Sequence, residues 1–178
     1  MFTKPLLILK HLWLDASDAQ RAIPAELLAR VAQRVAESER LHSGEIRICI
    51  EASLPLSYLW RVGKNHPLPQ VIRERAITMF GKLGVWDTEH NNGILIYVLL
   101  AEHAIEVIAD RGLNPHVTVA RWKALVTQMG AAFRAGRYED GLTHAVQETS
   151  AVLLQHFALT QDSNSTNRNE LPDAPLLL

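Results

Sequence analysis

Glu45, Asp87, Glu89, Asn91, Asn92, Asp110 and Arg111 are seven residues of this chain whose side chains could together hold a cation or a phosphate. Carboxylates and amide carbonyls are hard oxygen donors suited to Ca²⁺ or Mg²⁺, and a guanidinium pairs with a phosphate or with a neighbouring acid. The seven are far apart in the chain, so any joint chemistry depends on the elements that gather them.

Most of them flank one stretch, Gly84 to Gly112. A polar loop, Val85 to Asn92, runs into the apolar run Ile94 to Leu100, and after three residues a second run, Ala104 to Ala109, ends in Asp110, Arg111 and Gly112. Two β-rich runs with this spacing predict a hairpin. Antiparallel pairing then sets Asn91 and Asn92 beside Asp110 and Arg111. Upstream, Glu45 to Glu51 alternates, with Ile46, Ile48 and Ile50 on one face, which is the pattern of a half-buried strand. A helical crossover makes that strand parallel to Ile94–Leu100, and Glu45 then reaches the same sheet edge. This edge collects Asp110, Asn91, Asn92, Asp87, Glu89 and Glu45 as candidate metal ligands, with Arg111 as a phosphate or partner contact.

The same residues also have plainer roles. Asp110 can cap the next segment, Arg111 can neutralise Asp110 or Glu45, and Asn91 and Gly93 are turn residues. Ligands in open α/β sheets sit at the carboxyl ends of parallel strands, whereas this edge holds the amino ends of two of them.

Four helices are predicted from apolar spacing. The first follows Pro24 through Leu27, Leu28, Val31 and Val35 to about Arg40. The second begins near Pro69 and carries Ile72, Ala76, Met79, Phe80 and Leu83, which leaves Arg73, Glu74, Arg75 and Lys82 on solvated faces. The third carries Trp122, Leu125, Val126, Met129 and Phe133, and the last runs from Tyr138 to Phe157. Residues 52–68 form a connection with room for one helical turn. Residues 1–20 stay unassigned, with Leu6 to Leu14 read as an extra strand or a docking segment. Residues 159–178 are polar and Pro-containing and are expected to be disordered, with Leu176 to Leu178 too short to anchor anything. The central strand is apolar on both faces and needs cover on both. The expected fold class is α/β, a three-layer α/β/α sandwich with a small mixed sheet, a central β-hairpin and helices on both faces, in one domain over residues 21–158.

A chain of 178 residues with 48% hydrophobic and 21% charged residues fits one globular domain, and a net charge of −1 gives no electrostatic footprint for nucleic acid. The single cysteine, Cys49, lies in a strand, has no disulfide partner in the chain and reads as a core residue of a reducing compartment. Lys10 and His11 interrupt the N-terminal leucine run and no small-x-small cleavage site follows, so a secretory signal is not expected. No run approaches the roughly 20 apolar residues of a membrane span. The expected location is the cytoplasm. The eight histidines show no zinc spacing, and no nucleophile elbow, P-loop or dinucleotide fingerprint occurs. Trp86, Trp122 and Phe80 read as core residues and His90 as an exposed loop residue.

Several segments together carry a family resemblance. RERAITMFGKLGVWDTEHNNGILIYVLL (Arg73 to Leu100), IEVIADRGL (Ile105 to Leu113), Trp122, FRAGRYEDGL (Phe133 to Leu142) and the earlier GEIRICIE resemble the TPM domain family, over about residues 24–157. That family includes a thylakoid phosphatase, a photosystem II repair protein and a receptor-modulating worm protein. The resemblance implies an α/β/α sandwich and carries Asn91, Asn92, Asp110 and Arg111 over as candidate positions. It implies acid phosphatase activity and calcium binding for some members, and scaffolding or repair for others. Many members have a signal peptide and a C-terminal membrane span, patterns this chain does not show. The expectation is an accessory or interaction module with an unknown protein partner, binding Ca²⁺ or Mg²⁺ if any cofactor. The alternative is a divalent-metal-dependent acid phosphatase acting on phosphomonoesters, with Asp110 as ligand and Arg111 holding phosphate.

Overall fold

The computed structural model describes residues 4–14, 16–159 and 169–178. Its elements are α1 (Lys4–Trp13), α2 (Ala16–Ala22), α3 (Ala25–Glu39), β1 (Ile46–Glu51), α4 (Leu56–Leu59), α5 (Leu68–Lys82), β2 (Ile94–Leu99), β3 (Ala104–Ala109), α6 (Val119–Arg134), α7 (Tyr138–Phe157) and β4 (Leu176–Leu177). Short 3-10 turns, Leu100–Glu102 and Arg111–Leu113, follow β2 and β3.

The strands form one mixed sheet in the order β3-β2-β1-β4. β1 and β2 are parallel, with Ile46 opposite Ile94, and β2 and β3 are the expected antiparallel hairpin, with Ile94 opposite Ala109. Alternation along the strands divides the core in two. Ile46, Ile48, Ile50, Ile94, Ile96 and Val98 face a layer that includes Leu27, Val31 and Val35 of α3 and Phe133 of α6. Cys49, Leu95, Tyr97 and Leu99 face the other layer, with Leu7 of α1, Leu59 of α4 and Val71 and Ala76 of α5. Helices therefore cover both faces, the α/β/α arrangement expected. Each fully buried branched side chain contributes roughly 1.5–3 kcal/mol relative to leaving it in water.

Four expectations are corrected. β1 is buried along its whole length, on both faces, and is not half-buried. Its second face is covered because α5 lays Arg75 across it, so Arg75 is a buried residue and not part of a solvated face. Residues 4–13 form a helix, with Leu7 and His11 one turn apart facing inward and Leu6, Leu9, Leu12 and Trp13 facing out. Residues 169–178, expected to be disordered, lie along β1, and Leu176–Leu177 extend its sheet as β4. Of the expected disordered tail, residues 160–168 lie outside the described residues. Among the described residues, no helix is long and apolar enough to cross a membrane.

Candidate functional site

The hairpin ends in a tightly tied corner. Asp110 N–H donates to the Gly93 carbonyl and Gly112 N–H to the Asn91 carbonyl, each at 2.9 Å. Asn91 has a φ of 53°, a left-handed conformation that Asn tolerates better than most residues. A side chain at Gly112 would put its Cβ 2.5 Å from the Asn91 carbonyl oxygen and 2.8 Å from that of His90, so this approach requires glycine. Arg111 Nε donates to Asn91 Oδ1 at 2.8 Å, while Asp110 Oδ1 accepts from Arg111 N–H at 2.7 Å and caps the 3-10 turn. Asn92 is fully buried, with Nδ2 donating to Ser43 Oγ at 3.2 Å and N–H to Thr88 Oγ1 at 3.1 Å. Two acceptors in this corner, Asn92 Oδ1 and Asp110 Oδ2, are buried without a donor among the described residues.

Glu45 reaches the edge as expected, its carbonyl accepting from Ile94 N–H at 2.8 Å. Its side chain goes elsewhere. The carboxylate accepts from the backbone N–H groups of Glu170 and Leu171, each at 3.2 Å. Burial pushes the Glu45 carboxyl up to about 7, and those two bonds act against the rise. Glu39, at the end of α3, is buried nearby and accepts from Ile46 N–H at 2.7 Å. Burial pushes it up to about 9, an effect to which the charges of Glu45 and Asp173 add. Asp87 and Glu89 are exposed on the loop, and Glu89 N–H donates to the Glu170 carboxylate at 3.1 and 3.3 Å.

The edge thus gathers the seven candidates along the backbone, but their side chains divide into separate groups. Asn91 holds Arg111, Glu45 holds the C-terminal segment, and Asp87 and Glu89 point to solvent. Among the described residues, no group of three or more His, Cys, Asp or Glu stands where it could hold a metal ion. Ca²⁺ takes six to eight oxygens and Mg²⁺ about six, so the two donor-free oxygens of Asn92 and Asp110 do not make a cage. A cation bound at this corner would need its remaining ligands from water or from a bound phosphate.

The sequence reading missed Glu39 and the C-terminal residues that share its surroundings. It also missed a buried network at the opposite edge. Arg75 donates to the Glu51 carboxylate through Nε at 3.0 Å and Nη2 at 2.7 Å, and Tyr97 OH donates to the same carboxylate at 2.6 Å. Glu51 on a strand covered on both faces needs a cation, and the three consecutive charged residues Arg73, Glu74 and Arg75 on the covering helix were the available signal. Cys49 is fully buried, and burial pushes its thiol up to about 12, so it stays protonated and unreactive. His90 is exposed, as read. Phe80 and Trp122 pack on the two cores, but Trp86 is 52% exposed and is not a core residue.

The structure resembles the NMR structure of the BA42 protein from the psychrophilic bacterium Bizionia argentinensis, with 23% identity over 86% of this chain and 94% of that one and a TM-score of 0.69. It also resembles the solution structure of the N-terminal domain of a P. gingivalis protein, with 20% identity over 78% and 83% of the two chains and a TM-score of 0.56. At these identities the similarity speaks for the fold alone. No curated protein matches the chain. The model of the TPM domain matches residues 16–152, most of the chain. With the sheet, the two helical layers and the Asn91–Arg111 corner in place, the chain belongs to the TPM domain family.

Proposed function

We propose that the protein is an interaction module of the TPM type, which docks a protein partner through the loop from Trp86 to Asn91. The observation that carries this reading is the display of Trp86, 52% exposed, beside exposed Asp87, Glu89 and His90 on a firmly tied loop. Asp87 N–H bonds the Gly84 carbonyl at 2.9 Å, Asn91 N–H bonds the Thr88 carbonyl at 3.1 Å, and Gly112 closes on the far side. An exposed tryptophan with a polar rim on a rigid loop is the composition of an interaction hot spot. The test compares proteins captured by the wild-type chain with those captured by Trp86→Ala and Glu89→Lys at unchanged melting temperature. A specific partner lost with both variants supports the reading. Identical capture by all three removes it.

The second reading is a divalent-metal-dependent phosphomonoesterase, and the observation that favours it is the pair of donor-free oxygens on Asn92 and Asp110. Calorimetric titration with Ca²⁺, Mg²⁺ and Mn²⁺ tests the cation, and hydrolysis of a generic phosphomonoester by wild type and Asp110→Ala tests the chemistry. No heat at millimolar ion, or hydrolysis that survives the substitution, eliminates it.

A further inference from the structure

The outer edge of β1 is covered in an unusual way. Leu178 N–H donates to the Ile50 carbonyl and Ala52 N–H to the Leu178 carbonyl, each at 2.9 Å, around the parallel pairs Cys49–Leu176 and Ile50–Leu177. Towards the start of β1, Glu45 accepts from Glu170 and Leu171 N–H, and the Arg47 guanidinium donates to the carbonyl of Pro172 at 2.8 Å and to that of Ala174. Every hydrogen bond of these two buried charged side chains among the described residues therefore goes to the main chain of residues 170–174. Leu171 and Leu176 pack on one core and Leu177 on the other, so alternate side chains enter separate apolar sites.

These are the marks of strand addition, in which main-chain hydrogen bonds supply affinity and alternate side-chain sites supply selectivity. Two further observations separate this segment from the body of the fold. None of residues 169–178 is fully buried, although the strand beneath them is buried throughout. The TPM domain match ends at residue 152, so the covering segment lies outside it.

We infer that the outer edge of β1, with Glu45 and Arg47, is a peptide-binding groove and that residues 169–178 are its tethered ligand, replaceable in trans by a peptide of the same class. That class is an extended segment in which an acidic residue and a leucine precede two prolines and a leucine run, as in Glu-Leu-Pro-Asp-Ala-Pro-Leu-Leu-Leu. Pro172 and Pro175 suit it because the groove asks Pro172 for its carbonyl and not for an N–H, and proline holds the extended backbone in advance. Removing the peptide returns Glu45 and Arg47 to water and exposes mostly half-covered leucines, so an open groove is compatible with an intact core. The segment touches the Trp86 loop where the Glu89 N–H donates to the Glu170 carboxylate, but the inference does not depend on that loop binding a partner.

The probe is a fluorescently labelled peptide, Asn-Glu-Leu-Pro-Asp-Ala-Pro-Leu-Leu-Leu, read by anisotropy. A chain ending at residue 168 is expected to bind it saturably and to reject a scrambled peptide. Arg47→Ala in that chain should weaken binding at least tenfold. The intact chain should bind at least a hundredfold more weakly, because a covalently linked occupant acts at roughly millimolar effective concentration. A truncated chain that keeps its circular dichroism yet binds no peptide, or binds the scrambled one equally, overturns the inference. Should truncation prevent folding, the full chain with a protease site placed within residues 160–168 is cleaved after folding. Exchange of the released segment for labelled peptide supports the groove, and a segment that stays bound without exchange over a day overturns it.

Discussion

Arg75 of α5 crosses to β1 and engages the Glu51 carboxylate with two nitrogens, at 3.0 and 2.7 Å. Both residues are buried, and the Tyr97 hydroxyl closes the same carboxylate from β2. Arg75→Leu would leave Glu51 charged and unpaired inside the fold, which costs about 3–5 kcal/mol. Urea denaturation is expected to show that loss. The double variant Arg75→Leu, Glu51→Leu should recover much of it, because the uncompensated charge is then gone.

Gly112 is held against the backbone of His90 and Asn91. Gly112→Ala forces that turn apart, with an overpacking penalty of about 1–3 kcal/mol. The Arg111–Asn91 hydrogen bond should be lost at the same time. Chemical shifts of the Asn91 side-chain amide report the second effect independently of melting temperature.

Trp86→Ala is expected to change stability by no more than about 0.5 kcal/mol, as for other exposed positions. Its indole N–H donates to the Gly81 carbonyl over a long 3.3 Å. A large fall in melting temperature would mean that Trp86 supports the fold and is not held out for a partner.

Stability should decline above neutral pH. Glu39 and Glu45 have folded values of about 9 and 7, raised first by burial. A carboxyl raised in this way stabilises fully below its unfolded value of about 4.3, and the contribution is lost as pH rises through the folded values. His42 runs the other way. Burial lowers it to about 4, so its contribution is present above its ordinary 6.5 and is lost as pH falls towards 4. The trends oppose each other at mildly acidic pH, and above about 6.5 the carboxyls act alone. The negative charge develops beside Glu170 and Asp173, with Arg47 the cation nearby. The urea midpoint is expected to fall between pH 6.5 and 9, with faster amide exchange in residues 170–178. Glu39→Gln, which keeps an oxygen for Ile46 N–H, should flatten the fall, and an equally steep fall in this variant would count against Glu39 as a source.

Local periodicity made much of this fold legible. The stripes of Leu27, Val31 and Val35 and of Trp122, Leu125, Met129 and Phe133 each mark one buried helical face, and the two runs around Ala101–His103 pair as the expected antiparallel hairpin. The misses share a cause. Arg75 belongs to a helix whose periodicity is plain, yet its burial is decided by a carboxylate on a strand 24 residues away. Residues 169–178 have no periodicity of their own, and their order comes from Glu45 and Arg47, more than a hundred residues earlier. At the candidate site the sequence placed the right residues at one edge. Side-chain direction then separated them, because Glu45 turns to the C-terminal segment and Asn91 to Arg111.

The strand order β3-β2-β1-β4 also has a temporal side. β1 can pair with β2 as soon as the β2–β3 hairpin has been made, but its other edge has no partner until the ribosome has passed α7 and reached Leu176. At about 5–20 residues per second this leaves the edge open for on the order of 10 s. During synthesis the nascent chain therefore carries a bare strand edge among apolar neighbours, the kind of surface on which chains join edge to edge. A chaperone that binds extended apolar segments would find its target there, in the interval before the chain supplies its own strand.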